Sequence, residues 1–278
     1  MRQILLSLVA ILVMGNWATA QGPVSPRFRW TTGQVLLYRL DHTTEATDNS
    51  ADSKSETRSS LRVVKRWDVT AVDEAGVATL QMSLVSMMQE RTTPSGEVLK
   101  YDSAAPDKST PQLKEAMAKF LNTPLAVIRV DTSGRVVEVK ESRGGMGSFE
   151  NELPFLVVMP AAAIKAGDTW DRDYKITLPP PLGTGEKTDS VQKYTCKTAT
   201  ADQVTIALTT QLKTAPKVEV DVIPLWQMMP EGELIFDLKQ GRLHSAKLVI
   251  QKEIKGHQGE NSSASFKSTM TITYAGER

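Results

Sequence analysis

The sequence is poor in the residues that usually carry metal or redox chemistry. Its 278 residues include one cysteine, Cys196, and three histidines. A single cysteine excludes a disulfide framework and a zinc finger, and three scattered histidines leave little for any other metal centre. The chain also lacks an excess of either charge, since 33 Lys and Arg face 32 Asp and Glu, whereas nucleic acid or an anionic membrane would require a basic surplus. We therefore expect no metal, no cofactor and no nucleic-acid partner.

Long hydrophobic runs are missing except at the N-terminus. Arg2 precedes the apolar run of residues 4–14, and Ala18-Thr19-Ala20 has the A-x-A form of a signal-peptidase site. Eleven helical residues rise about 16 Å, against about 30 Å of bilayer hydrocarbon, so the run favours a cleaved signal over a membrane anchor. We predict that residues 1–20 are a signal peptide and that the mature chain, without a transmembrane segment, is exported to the periplasm or the medium.

What the mature sequence does contain is period-2 alternation of apolar and polar residues. The clearest runs are 67–71, 80–84, 204–208 and 266–274, each rich in Val, Ile, Thr, Leu or aromatic residues. This alternation is typical of strands with one buried and one wet face. The sequence therefore predicts a mainly β fold of antiparallel sheets or meanders, and it leaves open whether these form two related, curved, half-barrel-like halves.

Helical signals are few. Thr110 and Pro111 suit a helix start, and Leu113, Met117 and Phe120 fall on one face, so we predict an amphipathic helix over 111–121 that packs on an open sheet face. A weaker helical segment is predicted at 149–158, where Pro154 must kink or divide it. Two further segments, rich in polar residues or proline, are predicted as hairpin-tip loops: 46–60 and 179–185.

Three blocks recur in the same order in the two halves of the chain. Gly33 corresponds to Gly167, Trp67-x-Val69 to Tyr194-x-Cys196, and a hairpin at 130–136 to one at 236–243. Any two β-meanders resemble each other, so this pattern leaves a true duplication open. We divide the chain into the signal peptide, an N-terminal β region (21–145) with the inserted helix, a connector (146–166) and a C-terminal β region (167–278), with one continuous domain formed by both β regions as the alternative.

Taken together, several segments resemble a known family. They are RFRWTTGQVLLYRLDHTTEAT, KYDSAAPDKSTPQLKEAMAKFLNTPLAVIRVDTSGRVVEVKE, IKAGDTWDRDYKI and EGELIFDLKQGRLHSAKLVIQKE. Over residues 26–275 the chain is similar to secreted domain-of-unknown-function proteins abundant in planctomycete bacteria. The resemblance implies an exported β-rich fold with a helix inserted between two sheet regions, and it implies no activity and no site residues.

Sequence motifs that would indicate catalysis are absent. The cluster Gly144-Gly145-Met146-Gly147-Ser148 is not G-x-S-x-G, because Phe149 follows the serine, and it lacks the spacing of a phosphate loop. Asp168, Asp171 and Asp173 lack the D-x-D-x-D-G pattern of a calcium loop. We therefore predict no catalytic residues.

Methionine is the compositional exception, with 11 residues. Flexible thioethers beside tryptophan suit an adaptable apolar pocket, although they also serve as gap fillers under loops. The candidate ligand-binding residues are Met87, Met88, Trp226, Met228 and Met229.

These features predict an exported, non-enzymatic envelope protein that acts by binding or scaffolding, with an envelope protein or an apolar ligand as its partner. The first alternative is a carrier of an apolar small molecule or lipid in a half-barrel cavity, which requires a cavity of roughly 300 Å³ or more lined by the Met and Trp residues. A hydrolase is the third hypothesis, and it requires a nucleophile, a base and an acid that converge in a cleft.

Overall fold

A computed structural model describes residues 22–50, 53–143, 157–178 and 182–276. The predicted signal peptide, the glycine cluster at 144–148 and nearly all of the helix predicted at 149–158 lie outside these ranges. Val157 and Val158 are described and are not helical.

Within the described residues the chain forms one antiparallel sheet of twelve strands, which is not closed. The strands are β1 (Val35–Asn49), β2 (Lys54–Val72), β3 (Ala78–Thr92), β4 (Val98–Asp102), β5 (Pro124–Val130), β6 (Val136–Ser142), β7 (Thr169–Thr177), β8 (Lys187–Ala199), β9 (Gln203–Leu212), β10 (Glu231–Asp237), β11 (Arg242–Lys255) and β12 (Ser263–Gly276). Eleven of them lie in the order β6-β5-β3-β2-β1-β12-β11-β10-β9-β8-β7, and β4 pairs with β3. The predicted fold class is confirmed.

The last strand unites the two β regions. β12 pairs antiparallel with β1 on one side and with β11 on the other, so the sheet runs without interruption from the N-terminal to the C-terminal region. As far as the described residues show, the edge strands β6 and β7 do not pair with each other. Arg135 and Val136, at the start of β6, nevertheless line the same hollow of about 670 Å³ as Trp170 at the start of β7.

One face of the sheet carries the core, and we call it the core face. On β1, Leu36 and Tyr38 are buried on this face while Arg39 is exposed, as strand alternation requires. Residues of both β regions form a single buried cluster, so the two regions share one core. Its largest fully buried side chains include Trp67, Tyr38, Tyr194, Phe28 and Phe236.

The segment before β1 joins hairpin turns of both regions. The Phe28 N–H donates to the Thr132 carbonyl at 2.8 Å, and the Arg29 N–H donates to the Gly241 carbonyl at 2.9 Å. The Phe28 ring meets Phe236 edge to face, with centroids 5.0 Å apart. Residues that precede the first strand therefore hold one end of the core together.

The predicted helix is present but shorter than expected. α1 spans Pro111–Ala118 with Pro111 in its first turn, and by Asn122 the backbone φ is +55°, outside the helical region. Phe120 packs against the core, whereas no α1 residue is fully buried. The apolar side chain just beyond the last turn thus reaches the core from non-helical backbone.

The loop predicted over residues 46–60 was wrong. β1 continues to Asn49 and β2 begins at Lys54, so a long polar hairpin replaces the loop. Every pair from Ala46↔Thr57 to Asn49↔Lys54 lies in register. The polar side chains of this hairpin can hydrogen-bond to water, while pairing between β1 and β2 satisfies the backbone N–H and C=O groups. A polar composition therefore does not exclude strands. Of the second predicted loop, 179–185, residues 182–185 are described, and they connect β7 to β8 without strand structure.

Two 3-10 helices complete the part of the fold that the structure describes. The short one, Pro106–Lys108, follows β4. The long one, Glu219–Met228, lies in the connection between β9 and β10 and contains Pro224, which has no N–H and cannot donate a helical hydrogen bond. No helix in the described ranges is both long enough and apolar enough to cross a membrane.

Candidate functional site

The structure separates the two candidate methionines of β3. Met87 is half-buried and pairs with core-face Val63, whereas Met88 is 47% exposed and pairs with Arg62 and Asp102 on the opposite face, the outer face. Consecutive strand residues point to opposite faces. The two thioethers therefore do not line one pocket.

The other three candidates are neighbours in the chain but pack in two clusters. Met228 and Met229 pack with Leu225 against the cluster that contains Ile176 of β7. Trp226 belongs to a second cluster, with residues of the β11–β12 hairpin. The long 3-10 helix and the residue after it thus divide their apolar side chains between two parts of the second β region.

Trp226 lines a small hollow on the core face, which we call the hairpin cleft. Its volume is about 210 Å³, below the roughly 300 Å³ that a carrier cavity requires, and none of the candidate methionines lines it. The polar part of its lining includes Asp48, Ser55 and Thr57. The apolar part consists of Ile223 and Trp226 of the 3-10 helix, Ala264 and Phe266 of β12, and Ala46 of β1.

A much larger hollow of about 1040 Å³ crosses the strands β1 to β4, and we call it the outer groove. Its lining includes the row Asp41, Arg62, Met88 and Asp102, which are direct cross-strand neighbours in the registers of the four strands. These four residues lie on the outer face because they alternate with the core-facing ones, and core-face residues such as His42 and Leu61 complete the lining. Lys108, in the short 3-10 helix after β4, lines it as well.

Charges of both signs line the outer groove in equal number. Its charged lining consists of four cationic side chains, Arg58, Arg62, Lys100 and Lys108, and four acidic ones, Asp41, Glu45, Glu90 and Asp102. A surface with this balance does not attract a ligand of one charge sign over a distance, because the opposing fields cancel.

Two ion pairs form within the groove. Arg62 Nε lies 2.6 Å from Asp41 Oδ1, and Lys100 Nζ lies 3.1 Å from Glu90 Oε2. All four side chains are partly exposed to water, so each pair adds little stability and its charges remain available to a partner.

A serine and a histidine meet on the core face. His42 Nε2 lies 2.7 Å from Ser268 Oγ and 3.3 Å from Thr44 Oγ1. Burial lowers the pKa of His42 because it disfavours the charged imidazolium. None of the carboxylates that the structure describes forms a hydrogen bond with His42, and Ser268 is only 7% exposed. His42 also lines the outer groove, but the pair lacks the orienting acid and the accessible serine that hydrolysis requires.

The remaining candidates for reactive chemistry are buried or dispersed. Cys196 lies in the core, and burial raises the pKa of its thiol. The described part of the chain contains no group of three or more His, Cys, Asp and Glu side chains that could hold a metal ion. Sequence reasoning missed the outer groove, although its signal was present as charged residues at alternate positions of β1 and β2.

Comparisons with known proteins find structures of low sequence identity. Neither a protein-family model nor a curated protein matches the sequence. A structure of lipovitellin, described by its lipid–protein interactions, matches 90% of this chain over 26% of its own length, with 11% identity and a TM-score of 0.49. The chain thus spans about a quarter of that protein.

Two further structures match with lower scores. DynF, from the dynemicin biosynthesis pathway of Micromonospora chersina, is 8% identical with a TM-score of 0.22, and the match covers 94% of this chain and 92% of DynF. An outer membrane lipoprotein-sorting protein domain from Vibrio parahaemolyticus is 10% identical with a TM-score of 0.16, over 87% of this chain and 84% of that domain. None of these similarities bears on function, and the resemblance to secreted planctomycete proteins stays a prediction.

Proposed function

We propose that the protein is an exported, non-enzymatic binding protein that docks a protein partner of the cell envelope in the outer groove. Export rests on the N-terminal signal sequence. The single observation that supports binding is the outer groove itself, a hollow of about 1040 Å³ across four paired strands.

The chemistry of the groove favours a polypeptide of mixed charge over an apolar or strongly charged ligand. Four cationic and four acidic side chains line it, interspersed with serine and threonine hydroxyls. A partner that presents the complementary alternation would gain orientation and specificity from these charges, whereas a polyanion would meet as many acids as bases. Met88, 47% exposed in the lining, offers an adaptable apolar contact.

The experiment places a photo-crosslinking amino acid at Met88 of the full chain, expressed and exported in its own cell. Val137 of β6, 48% exposed against 47% for Met88, is the matched control outside the groove. We expect one predominant crosslinked envelope protein from position 88 and none of that protein from position 137.

Charge reversal then tests the groove. Arg62→Glu combined with Lys100→Glu should reduce the crosslink from position 88 at least about fivefold, because both cations lie in the groove. Equal crosslinking from positions 88 and 137, or a yield that the double reversal leaves unchanged, would contradict the proposal.

A carrier of an apolar ligand is the second candidate; the hairpin cleft around Trp226 is too small for a lipid, and its apolar walls favour only a compact small molecule. Native mass spectrometry of protein purified from its own envelope, followed by lipid extraction, tests this candidate. A stoichiometric co-purifying apolar molecule would favour the carrier, and ligand-free protein would count against it.

A further inference from the structure

We propose that the hairpin cleft is a binding site for a compact aromatic group that carries a cationic amine. The site is separate from the outer groove, because the two hollows share no lining residue. It does not depend on the protein partner proposed above.

The cleft has the volume of a single small ring system. A cavity of about 150 Å³ lined by Leu, Ile and Phe is large enough to bind benzene, and the hairpin cleft measures about 210 Å³. The space exists because two core-face positions of adjacent strands, Ala46 and Ala264, carry only methyl groups. A monocyclic or bicyclic ring fits this volume, and a long acyl chain exceeds it.

The walls are suited to an aromatic ligand. Trp226, 5% exposed, lines the cleft together with Phe266 and Ile223. Aromatic rings pack favourably edge to face or offset against such walls, and their faces attract a cation held nearby. A ring bound here would lie against Trp226 and change the environment of its indole N–H.

The charge at the hairpin cleft is negative. Asp48 is the single charged residue that lines the cleft within the described chain. Its Oδ1 lies 3.1 Å from Nε2 of the buried His257, which positions the carboxylate, while Oδ2 accepts no hydrogen bond from any described residue. The side chain is 53% exposed, so Oδ2 remains an acceptor for an amine attached to a ring inside the cleft.

The test is a titration of ¹⁵N-labelled mature protein with tryptamine, indole and indole-3-acetate, followed at the Trp226 indole N–H signal, which Trp226→Phe assigns. We expect all three to shift this signal and tryptamine to bind about threefold more tightly than indole-3-acetate, the size of an exposed ion pair. In Asp48→Asn the difference between the two should disappear. No shift with any probe, or the same preference in Asp48→Asn, would overturn the proposal.

Filling the cleft provides the second variant. Ala46→Leu should weaken tryptamine binding at least about tenfold, because the added side chain occupies the space of the ring. Ala275→Leu, at an exposed β12 position outside the lining, is the matched control and should bind as the parent does. Unfolding midpoints of both variants show whether either has lost its fold. If Ala46→Leu has, the tryptamine preference measured in Asp48→Asn decides whether the proposal stands. Unchanged binding in folded Ala46→Leu would also overturn the site.

Discussion

The two β regions share one plan and differ mainly in what each inserts into it. The strands β1, β2, β3, β5 and β6 form a meander in the first region, and β7 to β11 form its counterpart in the second. The first region inserts β4 and α1 between its third and fourth meander strands, and the second inserts the long 3-10 helix at the same place.

The correspondence extends to individual hydrogen bonds. The Gly33 N–H donates to the Val69 carbonyl at 2.8 Å, and the Gly167 N–H donates to the Cys196 carbonyl at the same distance. The register then shifts after Val69 in one region and after Cys196 in the other. The sequence repeat therefore marks equivalent structural positions, including the bulges.

The inserts determine where each region can bind. The first supplies Lys100 and Lys108 to the outer groove, whereas the second supplies Trp226 and Ile223 to the hairpin cleft. The insert of the first region thus contributes polar side chains to the outer groove, and the insert of the second region contributes apolar side chains that cover part of the core face. The common meander is the scaffold, and the connections carry the candidate sites, as is usual for loops on a rigid sheet.

The largest expected effects test whether the two regions form one cooperative unit. Trp67 and Tyr194 occupy equivalent positions and are both completely buried in the same cluster. Truncation to alanine should cost about 3–5 kcal/mol in either region, from lost burial and the cavity left behind. Urea unfolding followed by circular dichroism and by fluorescence should give one coincident transition for Trp67→Ala and for Tyr194→Ala. Two separate transitions would mean that the regions unfold independently.

Replacement of glycine by alanine should destabilise the two hairpin turns next to the N-terminal segment to different extents. Gly134 and Gly241 both have positive φ; a Cβ at Gly134 would collide with the Phe28 ring and the Val157 carbonyl, and one at Gly241 with Cβ and Cγ of exposed Arg29 and with the Arg27 carbonyl. Gly134→Ala should cost roughly 2–3 kcal/mol and Gly241→Ala about 1–2 kcal/mol, since the Phe28 ring is enclosed by the core, whereas exposed Arg29 has water around it and its backbone segment can shift. Both costs are measured as changes in the free energy of unfolding.

Gly96→Ala is the control for these turns. Its φ is +84° and open space surrounds it, so this variant measures the backbone strain alone. A larger loss of stability in Gly241→Ala than in Gly134→Ala would contradict this account.

A titratable group distinguishes the first region from the second. His42 lies nine residues after Gly33, and its counterpart nine residues after Gly167 is the buried Ile176. Burial lowers the pKa of His42, so the unfolded chain binds a proton at about pH 6.5 before the folded chain does. The free energy of unfolding should therefore fall as the pH drops through that range, and His42→Gln should make this fall shallower.

Urea unfolding between about pH 8 and about pH 5, the range in which an imidazole titrates, measures this effect. An unchanged slope in His42→Gln would show that burial of this imidazole does not govern the acid response.

The smallest effect is expected from exchanging equivalent core residues. Val69 and Cys196 occupy matching positions and are buried to almost the same extent. Cys196→Val should change the free energy of unfolding by less than about 1.5 kcal/mol, because the replacement is apolar and of similar volume. Cys196→Asp, which places a charge at the same buried position, is the contrasting variant. A large loss in Cys196→Val would mean that the two positions are packed differently.

Much of the scaffold could be predicted from local patterns, and the candidate sites could not. Alternation at 204–208 and 266–274 identified strands because one buried face requires a period of two. The hairpin over 46–60 was not predicted, because its strands are polar on both faces and so show no period-2 alternation; backbone pairing holds them together. The methionine and tryptophan candidates were chosen by composition, and the structure places Met88 and Trp226 on opposite faces.

The sequence by itself determined the strand character, the inserted helix and the repeated turn positions, since each depends on residues close together in the chain. Only the tertiary structure decided that β12 joins β1 to β11, that Asp41, Arg62 and Asp102 share one row, and that Ala46 meets Trp226 across a cleft. Strand order and register are set by contacts between residues far apart in the chain, and a period-2 pattern is the same for every partner that a strand could choose.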